Sequence, residues 1–79
     1  MHIAYDDVAG PGDGLPVRLA KLLVALGLAA SGAEANRKIA EKAVKLDGET
    51  APGNVINVDA LPARVVVRLG KRAKIATIA

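Results

Sequence analysis

Gly27-Leu-Ala-Ala-Ser31-Gly-Ala-Glu34-Ala-Asn-Arg37-Lys38-Ile39-Ala-Glu-Lys42-Ala-Val44-Lys45-Leu-Asp47-Gly48 reads as one unit: the end of a helix, a capped basic helix, a strand and a tight turn. Ser31 followed by Glu34 is a capping box, in which each side chain serves the other residue's unpaired N–H. Ala35, Ile39 and Ala43 form a narrow apolar stripe, with Arg37, Lys38, Glu41 and Lys42 pointing away from it. Glu34 and Lys38 are spaced for an i, i+4 ion pair. Val44 and Leu46 then alternate with Lys45 and Asp47, and Asp47-Gly48 is a strong hairpin-turn dipeptide. A basic helix feeding a small sheet is a surface suited to structured RNA.

Upstream, the pattern predicts a first helix from Pro16 to Leu26. Proline suits a first helical turn because its missing N–H has no partner there. Leu19, Leu22, Leu23 and Leu26 share one face, and Gly27 terminates the helix without steric cost. Residues 6–14 are rich in glycine, proline and aspartate, and they read as a linker. The chain therefore divides into a linker or flexible N-terminal segment, residues 1–14, and a domain over residues 15–79; Met1–Tyr5 either packs on that domain or frays. A chain that opens this way reads as a piece of a longer protein.

Downstream, Pro52-Gly53 marks a turn and Val55–Val58 a short strand. Ala63–Leu69 places Val65, Val67 and Leu69 on one face and Arg64, Val66 and Arg68 on the other. Gly70-Lys71-Arg72 turns the chain into a last strand, Lys74–Ile78. The predicted class is α+β: two N-terminal helices packed on a small, mainly antiparallel sheet of four to five strands.

Seventy-nine residues make one small domain, which buries roughly 60–65% of the surface of its unfolded chain. Of the 52% apolar residues, sixteen are alanine, and the core must come from nine Leu, nine Val and five Ile. There is no cysteine, so disulfides and thiolate metal sites are excluded. The single histidine, His2, is nearly terminal, which excludes a Ser/His/Asp set in the domain. No phosphate loop occurs at the required spacing, and the acids Glu34, Glu41, Asp47, Glu49 and Asp59 are scattered. The chain is expected to have no catalytic residues, no metal and no cofactor. No apolar run approaches the ~18 residues of a membrane span, and no signal peptide is visible; the expected setting is the cytoplasm, with no membrane partner.

The net charge of +3 conceals an asymmetry. Residues 1–15 carry three acids and no base, whereas residues 16–79 hold all eleven basic residues against five acids. A basic domain suits a polyanion, although a solvated surface explains such charge equally well. Arg37, Lys38, Lys42, Lys45, Lys71, Arg72 and Lys74 are the candidates for one basic face that neutralises RNA phosphates. Tyr5 is the only aromatic residue. Single-stranded RNA is generally held by stacking on aromatic rings, so backbone and shape recognition of folded RNA is favoured.

At this point the residues resemble a known family. Arg18-Leu19-Ala20-Lys21-Leu22-Leu23, Gly27-Leu28-Ala29, Ser31-x-x-Glu34-Ala35-x-Arg37-x-Ile39 and Val44-x-Leu46-Asp47-Gly48 look like the RNA-binding domain named after ribosomal small-subunit protein S-four. The closing Val67-Arg-Leu-Gly70-Lys71-Arg72-Ala-Lys74 and the stretch Leu22-Leu23-Val-Ala-Leu26-Gly27-Leu28 are similar to the C-terminal domain of bacterial tyrosyl-tRNA synthetases. That resemblance covers roughly residues 16–79. It implies a domain that grips tyrosine tRNA, joined by a linker such as residues 6–14 to a catalytic part that uses ATP. It also implies a monomeric fragment of a homodimeric enzyme. By position it places Arg18, Ser31, Arg37, Lys38, Lys42, Lys45, Lys71, Arg72 and Lys74 among RNA-facing groups, although Ser31 reads equally as a helix cap. The pattern departs at Gly32, Asn36, Glu41-Lys42-Ala43, Ala73 and Ile75, where the family commonly has Lys, Arg, a Gln-Gly-Gly type helix end, a basic residue and Phe. Two other readings stay open: the same fold in an rRNA-binding or pseudouridine-synthase protein, and a protein–protein docking module with an acidic partner.

Overall fold

The computed structural model describes residues 1–79 and has the predicted α+β class, with three helices, a five-stranded sheet and a separate two-stranded sheet. The central motif forms as its sequence dictates. Helix α3 (Gly32–Ala40) is capped by Ser31, whose side chain accepts the Glu34 N–H at 3.2 Å. Strands β3 (Val44–Leu46) and β4 (Glu49–Thr50) make the hairpin around Asp47-Gly48, both of which take positive φ (50° and 89°). Two left-handed residues in a row are what an inward-twisting two-residue turn requires, and Asp-Gly tolerates them. Asp47 is held further by its carboxylate, which accepts the Val66 N–H at 3.0 Å.

Strands β6 (Ala63–Leu69) and β7 (Arg72–Ile78) form the long antiparallel hairpin, and β1 (His2–Ile3) lies parallel to the end of β7. The sheet order is β1-β7-β6-β3-β4. The alternation read from Ala63–Leu69 holds: Val65 and Val67 are buried, while Arg64, Val66 and Arg68 face solvent. Leu19, Leu22 and Leu23 of α2 (Leu19–Ala25) and Ala35 and Ile39 of α3 pack on the inner face with Val44, Val65, Val67, Ala76 and Ile78. Burying each Leu, Ile or Val contributes about 1.5–3 kcal/mol, which is how a core without Phe or Trp holds the domain.

Three expectations are corrected. Pro16–Arg18 is not the first turn of a helix but strand β2, paired with β5 (Val55–Asn57) in the two-stranded sheet. Proline's fixed φ also fits an extended edge position, and Val17 gains complete burial there. The Val55–Val58 strand therefore forms but leaves the main sheet, where β1 and β4 take part instead. The N-terminal segment is not a free linker through residue 14: Ile3 and Val8 belong to the core. Helix α1 (Tyr5–Val8) is tied to β2 by the Tyr5 hydroxyl, which donates to the Pro16 carbonyl at 2.8 Å. Only the stretch from Pro11 to Gly14 keeps the exposed, irregular character expected of a connection.

Candidate nucleic-acid interface

Helices α2 and α3 end in the same hydrogen-bonded motif, and those two ends position the basic groups. After α2, the Leu28 N–H reaches back to the Leu23 carbonyl at 2.9 Å and the Gly27 N–H to Val24 at 3.0 Å, with Gly27 at φ 75°. After α3, the Ala43 N–H bonds Lys38 and the Lys42 N–H bonds Ile39, both at 3.0 Å. This is the Schellman termination, which requires a left-handed residue just past the cap. In α2 that residue is glycine; in α3 it is Lys42, at φ 60°. A side chain there costs about 1–2 kcal/mol relative to the right-handed region, so Lys42 is held at a strained position.

The register brings the cations of the last hairpin to the same end. Val44 lies opposite Leu69, and Leu69 opposite Arg72, so Lys42 enters the sheet beside the Gly70-Lys71 turn. Arg72 crosses to the helices, where its Nη2 donates to the Gly27 carbonyl at 3.0 Å. The Lys74 ammonium also approaches this corner, 3.8 Å from where a Cβ on Gly27 would stand. Cations beside unpaired helix-terminal carbonyls are favourable. Lys42, Lys71, Arg72 and Lys74 thus form one exposed cationic end, with no acid in an ion pair with any of them. Arg72 is consequently a bonded strand residue and not a free turn residue.

The other candidates lie elsewhere. Arg37 is exposed, on the side of α3 opposite the buried Ala35 and Ile39. Lys38 pairs with Glu41 at 3.7 Å, in place of the expected Glu34. An exposed i, i+3 pair of this kind contributes little to stability, but it offsets the Lys38 charge. Ser31 is exposed and its oxygen is occupied as the cap. Arg18 sits away from the cationic end, in a shallow depression with Lys21, Asn36 and Asn54 beside the first turn of α3. Lys45 faces out from the far side of the sheet, opposite Arg68. The single basic face expected from the sequence is thus three patches: the cationic end, the solvent face of the sheet, and the start of α3. Arg64, Arg68 and Lys21 were missed as members. The alternation along β6 was the available signal for the two arginines, since a strand presenting only valine and arginine outward has a charged face.

Tyr5 is packed against the core with its hydroxyl bonded, so it offers no stacking platform. No helix is long and apolar enough to cross a membrane.

No family model matches the chain. Among curated relatives, a tyrosine–tRNA ligase of Xanthomonas axonopodis pv. citri (strain 306) is 46% identical over 72 residues, covering 89% of this chain and 17% of that protein. The tyrosine–tRNA ligase of Xanthomonas oryzae pv. oryzae (strain MAFF 311018) is 42% identical over 70 residues, with the same coverage. That of Xanthomonas campestris pv. campestris is 49% identical over 47 residues, 60% of this chain and 11% of that protein. The chain spans about a sixth of the length of these relatives, 17% in the two longer matches.

Proposed function

We propose, from the homology of nine tenths of this chain to a segment of tyrosine–tRNA ligases, that it is the tRNA-gripping appendage of such an enzyme. It holds tyrosine tRNA by phosphate and shape contacts and has no chemistry of its own; activation of tyrosine with ATP belongs to the rest of the enzyme. The observation that supports this most directly is the cationic end. Lys42 from the end of α3 and Lys71, Arg72 and Lys74 from the last hairpin converge beside the end of α2, with none of them in an ion pair, in a domain related to a tRNA-charging enzyme. Arg37, Lys38 and Ser31 lie outside this end, along α3, and would add contacts there, with Lys38 partly offset by Glu41.

Phosphate contacts of this kind carry no base information, so selectivity rests on the shape of the folded tRNA. The test is binding of the chain to transcribed tyrosine tRNA across a salt series, with a short-variable-arm tRNA as competitor. Log affinity is expected to fall linearly with log salt, by roughly 0.7–0.9 per phosphate neutralised. Preference for tyrosine tRNA, with a slope that drops in Lys42→Gln/Lys71→Gln, supports the reading. Absence of binding at low salt would overturn it in favour of a protein-docking module.

A further inference from the structure

The solvent face of the five-stranded sheet carries cations that the cationic end does not include. Register sets Lys45 directly opposite Arg68, with Thr50 and Ala73 completing the row. Arg64 stands on the same face four residues along β6, about 13 Å away at ~3.3 Å per residue. Between these rows Val66 faces Ile75, with Met1 beside them. Asp47, Glu49 and Asp59 line a depression beside Arg64, but none of them forms an ion pair with Lys45, Arg64 or Arg68, and the Asp47 carboxylate accepts the Val66 N–H. The molecule's one ion pair, Lys38–Glu41, lies elsewhere.

Like charges directly opposite on neighbouring strands are destabilising. This chain keeps such a pair on an open face with neither member in an ion pair, and breaches of a local rule concentrate at functional surfaces. The apolar part of the patch does not explain it. Val66 and Ile75 are 39% and 41% exposed and Met1 58%. Together they offer on the order of 250 Å² of apolar surface, well short of the ~800 Å² per partner of a standard protein interface and unremarked on an ordinary monomer. Charge is the signal, and it calls for a polyanion.

We infer that the solvent face of the sheet is a second RNA-contact surface, on which Lys45, Arg64 and Arg68 hold backbone phosphates of the strand that crosses it. This rests on the reading of the chain as an RNA-binding domain. The face is distinct from the cationic end, because Lys45, Arg64 and Arg68 point to the side of the sheet opposite the helices.

Fluorescence anisotropy with labelled tyrosine tRNA, on the wild-type chain, Lys45→Gln/Arg68→Gln and Lys42→Gln/Lys71→Gln across a salt series, tests it. The sheet variant is expected to bind about tenfold more weakly at low salt and to flatten the log–log slope by about 1.5, as for two lost phosphate contacts. Its thermal midpoint should be no lower than that of the wild type, and Lys45→Arg/Arg68→Lys should bind normally. An unchanged affinity and slope in the sheet variant, beside weakened binding in Lys42→Gln/Lys71→Gln, would overturn this inference and leave the proposed function standing. No binding by the wild type would overturn both. Competition by poly-glutamate as strong as that by poly-uridine, at equal charge and lost in the sheet variant, would also overturn it, by making the face a site for acidic protein.

Discussion

Lys42 occupies a backbone position that suits glycine. Its φ of 60° closes α3, and the Lys42 and Ala43 N–H groups depend on that geometry for their bonds to Ile39 and Lys38. Lys42→Gly is therefore expected to raise stability by about 1 kcal/mol, because the left-handed conformation loses its steric cost. Lys42→Ala keeps the strain and removes only the charge, so it should bring no such gain. Denaturant titration of both variants, read beside their tRNA affinity, separates the two roles. Weakened binding in both, with stability gained only in the glycine variant, is the signature of a residue whose charge is kept at the expense of fold stability. The Ser31 cap was legible, because Ser-x-x-Glu has one strong local meaning. The strain at Lys42 was not, because lysine carries no turn signal and the helix end is set by how Val44 enters the sheet. The ion partner of Lys38 was also misread. Glu34 and Glu41 are both within helical reach of it, and spacing alone does not choose between them.

At the scale of elements, the hairpin of β6 and β7 is both a sheet component and a reach toward the helices. Arg72 links it to the end of α2 through the Gly27 carbonyl. Arg72→Ala should cost about 1 kcal/mol, the net worth of one such hydrogen bond, whereas Lys71→Ala on the turn should leave stability within about 0.5 kcal/mol. A thermal melt of each variant checks this, and equal midpoints would mean that the Arg72 contact does not hold in solution. Strands β3 and β6 were legible because buried and exposed residues alternate strictly along them. Strand β2 was not. Pro16–Arg18 abuts the apolar pattern of α2 with no break, and three residues are too few to show whether the period is helical or extended. Its strand identity comes from β5, forty-one positions further along at the Pro16↔Asn57 end of a non-local pairing. The same limit hid the division of the basic face. Alternation shows that Lys45 stands opposite the buried Val44, but only the pairing of β6 with β7 shows that Arg72 and Lys74 lie on the helix side, so Lys45 was grouped with cations across the sheet from it.

For the whole molecule, the N-terminal segment decides where the domain begins. Reading residues 6–14 as a linker leaves open whether Met1–Tyr5 packs on the domain or frays. The structure places Ile3 in the core at 7% exposure and adds β1 to the sheet, with the Thr77 N–H bonded to the Met1 carbonyl at 2.8 Å and the Ala79 N–H to Ile3 at 3.0 Å. Segments this short hide from pattern reading, because two strand residues and one helical turn show no periodicity, and Asp6 and Asp7 look like solvent-exposed linker. Ile3→Ala removes most of a buried side chain at the sheet edge and should cost about 2 kcal/mol, the lower end of the range for such truncations because an edge site relaxes easily. For a domain of this size, whose total stability is on the order of 5 kcal/mol, that loss is large enough to move the urea midpoint well outside error. A chain beginning at residue 15 should be less stable still, since it also loses Val8 and the Tyr5 bond to Pro16. If Ile3→Ala and the shortened chain both unfold at the wild-type midpoint, the first nine residues are a tether and the domain is the smaller one. If both unfold earlier, the linker is confined to the exposed stretch Pro11–Gly14, and the folded domain includes the acidic N-terminal helix.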